Sequence, residues 1–459
     1  MTAFWQLERY GDNIAIIDDQ NVELSYRHLA DLVTSLAAQI PARSLVFCLC
    51  NNSIDALVGY LACLNARAVT LLLDKDIAPE LLKQLIGSYQ PGYLWRQTET
   101  GYALQDLDQK APEMDDQLAL LIATSGSTGS PKMVRLSYQN LVANTRSIVD
   151  YLDIDSSERP LAWLPMNYVY GLSIINTHLA QGATLLLTNS SPVQPTFWRF
   201  LKENKATSLS GVPYSWEILH KLRFTRMNLP SLKTLTQAGG KLRPELHSEM
   251  AKWASDKGLR FFVMYGAAEA TSRMGYLPVE NTVEKPGAMG IAIPGGSFAL
   301  EDDEGNEISD SGKCGELFYY GPNVSLGYAN CRNDLAKGDE RKGKLATGDL
   351  AVRDSDGFYT IVGRKARFLK VFGNRVGLDE LEHLVLNVFP SLECAAVGSD
   401  DNIRIFITDA SATSAVKQYL AQTCHLHHSA FTMKCIDAIP KNAAGKTLYH
   451  QLEVQSEGV

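Results

Sequence analysis

Short apolar runs that alternate with amphipathic stretches constrain this chain more than any other feature. Ser44 to Cys50 and Ala68 to Leu73 are apolar and of strand length, and Ser53 to Asn65 between them is amphipathic. That rhythm is typical of α/β layers, so the predicted fold class is mainly α/β. Further on, Phe261-Phe262-Val263-Met264-Tyr265 reads as a strand that stops at Gly266. Gly266 to Glu269 then falls on the loop at a strand's carboxyl end, where open α/β sheets bind ligands.

The 459 residues exceed what one hydrophobic core usually supports, so two or more domains are expected. From Gly315 to Thr360 the pattern becomes short alternating strands, with turn or loop signals at Gly321-Pro322, Arg332 to Gly343 and Asp354-Ser355-Asp356-Gly357. After Gly363-Arg364 the texture changes again. Leu378 to Val388 and Ser414 to Gln422 read as helices, and Glu393 to Val397 and Ile403 to Ile407 as strands. A boundary is predicted near Arg364. It separates a large N-terminal α/β domain with a β-rich subdomain, residues 1–364, from a small C-terminal α+β domain, residues 365–459.

A net charge of −8 supplies no basic surplus for neutralising phosphates along a nucleic acid, which argues against that partner. The first ten residues carry Glu8 and lack a basic start followed by an apolar block, so no secretory signal is read. No apolar run reaches membrane-spanning length. Eight cysteines without a CxxC pair read as reduced thiols, and the cytoplasm is the expected compartment.

Leu118 to Ile122 has strand character and empties into Ala123-Thr124-Ser125-Gly126-Ser127-Thr128-Gly129-Ser130-Pro131-Lys132. Gly126 and Gly129 let backbone NH groups approach an anion. The hydroxyls of Thr124, Ser125, Ser127 and Thr128 can donate to phosphate oxygens, and Lys132 adds a positive charge. The P-loop pattern fails, because that motif needs lysine directly after its second glycine and Pro131 precedes Lys132 here. Taken alone, the segment reads either as a polyphosphate cradle or as a Ser/Gly surface linker.

The loop resembles the phosphate-binding signature of the adenylate-forming superfamily of acyl-CoA synthetases, peptide-synthetase adenylation domains and luciferases. Further matching segments follow in that family's order, from Leu24-Ser25-Tyr26 through Gly315-Glu316-Leu317 and Gly321-Pro322 to Gly327-Tyr328 and beyond. The resemblance implies ATP-dependent activation of a carboxylic acid as its acyl-adenylate with Mg2+. Transfer to a thiol follows, on coenzyme A or on the phosphopantetheine of a separate carrier protein. It also implies roles for individual residues. Gly239 and Gly240 in Gln237-Ala238-Gly239-Gly240 would lie beside adenine and the acyl group. In Tyr265-Gly266-Ala267-Ala268-Glu269, Tyr265 would stack on adenine, Gly266 and Ala267 would line the nucleotide, and Glu269 would bind magnesium together with Thr128. Asp349, in Thr347-Gly348-Asp349, would bind both ribose hydroxyls, and Arg364 would contact ribose or phosphate. Lys446, in Pro440-Lys441-Asn442-Ala443-Ala444-Gly445-Lys446, would bridge the carboxylate and the α-phosphate. Thr128, Glu269 and Lys446 are the implied catalytic residues.

In the resembling family the C-terminal domain is mobile and rotates after adenylation, and Lys370 and Gly373 fall on the loop that then lines the pantetheine route. Two departures stand out. Ala268 occupies a position that is usually a hydroxyl residue, and Ala366 stands where the hinge usually has Asp or Lys. The acyl pocket implied by the resemblance involves Asn167, Tyr168, Tyr170, Gly171 and Tyr214. Two tyrosines and an asparagine suggest a compact, partly polar or aromatic acid rather than a long fatty chain, although a buried aromatic stripe is more often plain core. Adenylation with a non-thiol acceptor and a degenerate nucleotide-binding scaffold are the alternative readings. His425, His427 and His428 beside Cys424 lack a second ligand cluster and read as a surface or strand segment.

Overall fold

The structure, a computed structural model, describes residues 3–123, 132–302, 304–371, 374–399, 402–424, 426–442, 447–449 and 451–453. They form two compact units. The first is built from residues up to Phe298 together with Tyr319–Leu345, the second from Ala299–Phe318 and the chain from Ala346 onward. The strands of the predicted β-rich stretch are thus shared between the units.

Two sheets organise the first unit. In the nine-stranded sheet, Ile14–Asp18, Leu185–Leu187, Pro160–Ala162, Ser208–Gly211, Thr234–Gln237 and Arg260–Tyr265 lie side by side in that order and run parallel. Antiparallel strands finish both edges, Glu23–Ser25 at one, Gly275–Leu277 and Ile291–Ala292 at the other. The seven-stranded sheet has Tyr93–Thr98, Leu45–Cys50, Val69–Asp74 and Leu118–Ala123 as its parallel centre. All six residues of Leu45–Cys50 are buried, as a parallel strand covered on both faces requires. The helix Ile54–Asn65 buries nine consecutive residues from Ala56 to Leu64. Ser53 is its N-cap and accepts from the Ala56 amide. Such a cap stabilises a helix by about 1 kcal/mol.

Alternation along the parallel strands of the larger sheet gives its two faces different chemistry. Phe261 points toward the helix Pro213–Lys221, its ring 5.4 Å from that of Trp216. Ser208, Ser210, Thr234, Thr236, Arg260 and Met264 point the other way, under the helices Tyr138–Leu152 and Val169–Leu179.

In the second unit the antiparallel strands Lys344–Arg353 and Tyr359–Arg364 set Asp349 opposite Arg364. Beyond them, Cys394–Ser399, Asn402–Ile407 and Phe431–Cys435 form a three-stranded sheet. Leu381 and Val385 of the helix Leu378–Val388, and Val416 and Leu420 of the helix Thr413–Thr423, pack with Ile403, Ile405 and Phe431 in its core. Arg367 lies in a largely buried knot: its Nη2 is 2.6 Å from Glu382 Oε1, its Nε donates to Asp379, and its guanidinium sits 3.7 Å from the ring centre of Tyr449. Tyr449 in turn donates to Glu382 Oε2 at 3.0 Å. Mixed α/β layering, with a smaller C-terminal body, is the class expected from sequence.

Candidate active site

Four neighbouring parallel strands, Pro160–Ala162, Ser208–Gly211, Thr234–Gln237 and Arg260–Tyr265, end on the same edge of the larger sheet. The segments that leave those ends carry Asn167, Tyr168 and Tyr170; Tyr214; Gly239 and Gly240; and Gly266, Ala267 and Glu269. Residues that sequence reading placed in two pockets are therefore gathered at one carboxyl edge, the position where open α/β sheets bind ligands.

Backbone crowding explains two of the glycines. Gly239 has φ +87°, and a Cβ there would meet the Tyr168 hydroxyl at 2.4 Å. Gly266 is closed in by its own turn, since a Cβ would lie 1.8 Å from the Ser272 carbonyl oxygen. A side chain at either position would displace the loop. Tyr168 is mostly buried, and its ring lies edge-on to Tyr170 at 6.5 Å. Tyr170 is fully buried, with its hydroxyl 2.7 Å from Thr236 Oγ1, which itself donates to Ser210 Oγ at 2.8 Å. Gly171 lets the start of its helix pack against the Leu164 and Pro165 carbonyls. Tyr214, at the start of the helix Pro213–Lys221, is 48% exposed, so only part of its ring is covered. Tyr265 is half-buried, its ring 6.3 Å from that of Phe298.

Glu269 sits in the single 3-10 turn Ala268–Ala270 and accepts at Oε1 from the Tyr328 hydroxyl, 2.8 Å away. The guanidinium of Arg341 lies 4.7 Å from the centre of the Tyr328 ring, and Lys132 Nζ lies 5.8 Å from it. Burial and the neighbouring Glu269 charge hold the Tyr328 phenol above its usual range, so it stays a donor. One carboxylate and two cations around a single phenol form a constellation suited to a metal-bound polyphosphate. Sequence reading matched Tyr328 within a motif without giving it a role, and Arg341 lay in a stretch read only as loop.

Arg273, also missed, is 3% exposed. Its Nη2 donates to Ser173 Oγ at 3.3 Å and its guanidinium stacks 4.5 Å from the centre of the Tyr170 ring. Its Nε has no hydrogen-bond partner. Burying an ion costs several kcal/mol, whereas a desolvated cation–π contact returns about 2 kcal/mol. Arginines are mostly exposed, so nothing in the local sequence signals this burial.

In the second unit, Asp349 is buried and pairs with the exposed Arg364 at 3.2 Å. Its amide donates to Thr347 Oγ1 at 3.1 Å, and that hydroxyl donates to the Leu317 carbonyl. The two residues assigned to ribose by resemblance are thus in contact with each other. Lys370 lies in the hairpin strand Phe368–Val371, opposite Arg375. Thr124, Ser125, Gly126, Ser127, Thr128, Gly129, Gly373 and Lys446 lie outside the described residues.

Residues 3–329 match the model of the family described as AMP-binding enzyme, and the chain belongs to that family. A long-chain-fatty-acid–CoA ligase from Yersinia pestis is 28% identical over 75% of this chain, and the alignment spans 62% of that relative's own length. An indoleacetate–CoA ligase from Aromatoleum aromaticum is 27% identical over 83% of this chain and 81% of its own. In fold, the chain matches o-succinylbenzoate CoA synthetase from Bacillus subtilis, solved with its acyl-adenylate intermediate, with a TM-score of 0.81 and 22% identity over 98% of both chains. ATP-bound MatB from Rhodopseudomonas palustris matches with a TM-score of 0.80 and 22% identity, over 100% of this chain and 99% of that one. Among the described residues, no helix is long and apolar enough to cross a membrane.

Proposed function

We propose that this chain is an AMP-forming ligase that uses ATP and Mg2+ to activate a carboxylic acid and then passes the acyl group to a thiol. The observation that carries this reading is the Glu269 carboxylate, fixed by Tyr328 beside Arg341 and Lys132 at the carboxyl edge of the sheet. The related CoA ligases and the acyl-adenylate-bound structural neighbour support it. In the first step a carboxylate oxygen of the acid attacks the α-phosphorus and pyrophosphate leaves. In the second a thiolate sulfur attacks the acyl carbon and AMP leaves.

The assignment gives each residue a task. Glu269 and Thr128 would hold a magnesium ion, which would shield the phosphate charges, and Thr124 to Gly129 with Lys132 cradle the triphosphate. Gly239, Gly240, Tyr265, Gly266 and Ala267 form the adenine and acyl walls, and Asp349 with Arg364 binds ribose. Lys446 neutralises charge that builds on the phosphorus oxygens during attack. The division of labour falls at Arg364, with residues 365–459 supplying Lys446, Lys370 and Gly373. The acceptor thiol is that of coenzyme A, with a phosphopantetheinylated carrier as the second candidate.

The test is acid-dependent pyrophosphate release. Lys446→Ala is expected to abolish it while ATP binding persists, and unchanged release would overturn the assignment.

A further inference from the structure

A small cavity of about 30 Å³ lies along the polar face of the larger sheet, beneath the helices Tyr138–Leu152 and Val169–Leu179. Its wall is apolar along one side, from Ile148, Leu152, Ile174 and Met264, and hydroxylic along the other, from Tyr170, Ser173, Ser210 and Thr236. Two arginines line it. Arg260 has its charge answered by Glu158, 3.8 Å away. Among the described residues no carboxylate lies within ion-pair distance of Arg273, although it is the more deeply buried of the two. Its Nε is unpartnered, and its hydroxyl neighbours are Tyr151 and Ser173, the latter already donating to the Tyr170 carbonyl.

A buried guanidinium with an unpartnered Nε is arranged to receive an anion, and its planar fork matches a carboxylate. A chain of packed residues links it to the acyl end of the site. Gly239 touches the Tyr168 hydroxyl, Tyr168 meets Tyr170, and Tyr170 lies against Arg273. The triphosphate cations Lys132 and Arg341 belong to a different cluster, around Tyr328. We propose that Arg273 receives a second carboxylate on the acid, so that the substrate is a short dicarboxylic acid, activated at one carboxyl and anchored by the other. The apolar side of the cavity contacts the methylenes between them. This rests on the acid-activating reading above.

Pyrophosphate release by the full chain with ATP and Mg2+ is to be measured for the dicarboxylates from succinate to adipate and for the monomethyl ester of each. Binding of the same acids is to be followed by calorimetry. The expected result is a kcat/KM for the best diacid about 100-fold above that of its ester. Arg273→Met is expected to erase that preference, Arg273→Lys to restore part of it, and Ser173→Ala to weaken it about tenfold, with the KM for ATP unchanged. Should Arg273→Met fail to fold, the diacid-to-ester ratio of the unaltered protein decides alone. Esters turned over as well as diacids would overturn the proposal and leave acid activation standing. Diacids that bind, in preference to their esters, without pyrophosphate release would sustain the anion site and overturn the activation chemistry. Diacids that neither bind nor react, while monocarboxylic acids release pyrophosphate, would sink the dicarboxylate assignment alone.

Discussion

The phenol of Tyr328 donates to Oε1 of Glu269 across 2.8 Å, and this bond fixes where the carboxylate points. A hydrogen bond to a charged group contributes about 1.5–3 kcal/mol. Tyr328→Phe is therefore expected to raise the Mg2+ concentration needed for half-maximal pyrophosphate release about tenfold. A magnesium titration identical to that of the parent protein would show that Tyr328 does not position Glu269.

Asp349 is held by its own Thr347 turn, and its charge is partly matched by Arg364. Asp349→Ala removes the acceptor proposed for both ribose hydroxyls, and ATP binding should weaken about 10- to 100-fold, by two charge-assisted bonds. Arg364→Ala should cost less, because Arg364 is largely in water. Nucleotide affinity measured by calorimetry separates the two, and equal losses would contradict the ranking.

Arg367 joins Asp379 and Glu382, both on the helix Leu378–Val388, to the distant Tyr449 within the second unit. Removing its charge strands two carboxylates, and Arg367→Met should destabilise that unit by about 3 kcal/mol. Tyr449→Phe should cost about 1.5 kcal/mol, since only one hydrogen bond to a carboxylate goes. Urea unfolding with a probe in the C-terminal region gives both values, and indistinguishable midpoints would rule out the knot as a stabilising element.

Burial pushes the imidazoles of His178 and His247 down to about 4. His247 is locked in its neutral form, with Nε2 against the Thr282 carbonyl and Nδ1 accepting from the Gly287 amide. The unfolded chain binds these protons first, near the ordinary histidine value, so the native state is fully favoured above about pH 6.5. That advantage is lost as the pH falls toward 4, by about 3 kcal/mol for each residue. Denaturation midpoints should decline across that window, and His178→Gln should flatten the slope. A slope unchanged by that substitution would mean that His178 is not a source of it.

The strands and helices of the α/β layers were legible because they are encoded locally. Leu378 to Val388 is a helix over the residues its pattern indicates, and Phe261 to Tyr265 is a strand that stops at Gly266. The gathering of Tyr168, Tyr214, Gly239 and Glu269 on one edge was legible only through motif order, since spacing says nothing of which strands lie side by side. Arg341 and Arg273 escaped for a different reason. Their significance comes from burial and from partners far along the chain, Tyr328 for the first and Ser173 and Tyr170 for the second, and neither sits in a periodic pattern.

The parallel pairing of Ile14–Asp18 with Leu185–Leu187 has a consequence for synthesis on the ribosome. Ile16 pairs opposite Leu185, so this apolar first strand emerges long before its neighbour exists. At ordinary elongation rates the wait is roughly ten to thirty seconds. Until then the return strand Glu23–Ser25 and the helix Tyr26–Ala37 are what is at hand to cover it. Among the described strands of that sheet, Ile14–Asp18 thus waits longest for its parallel neighbour.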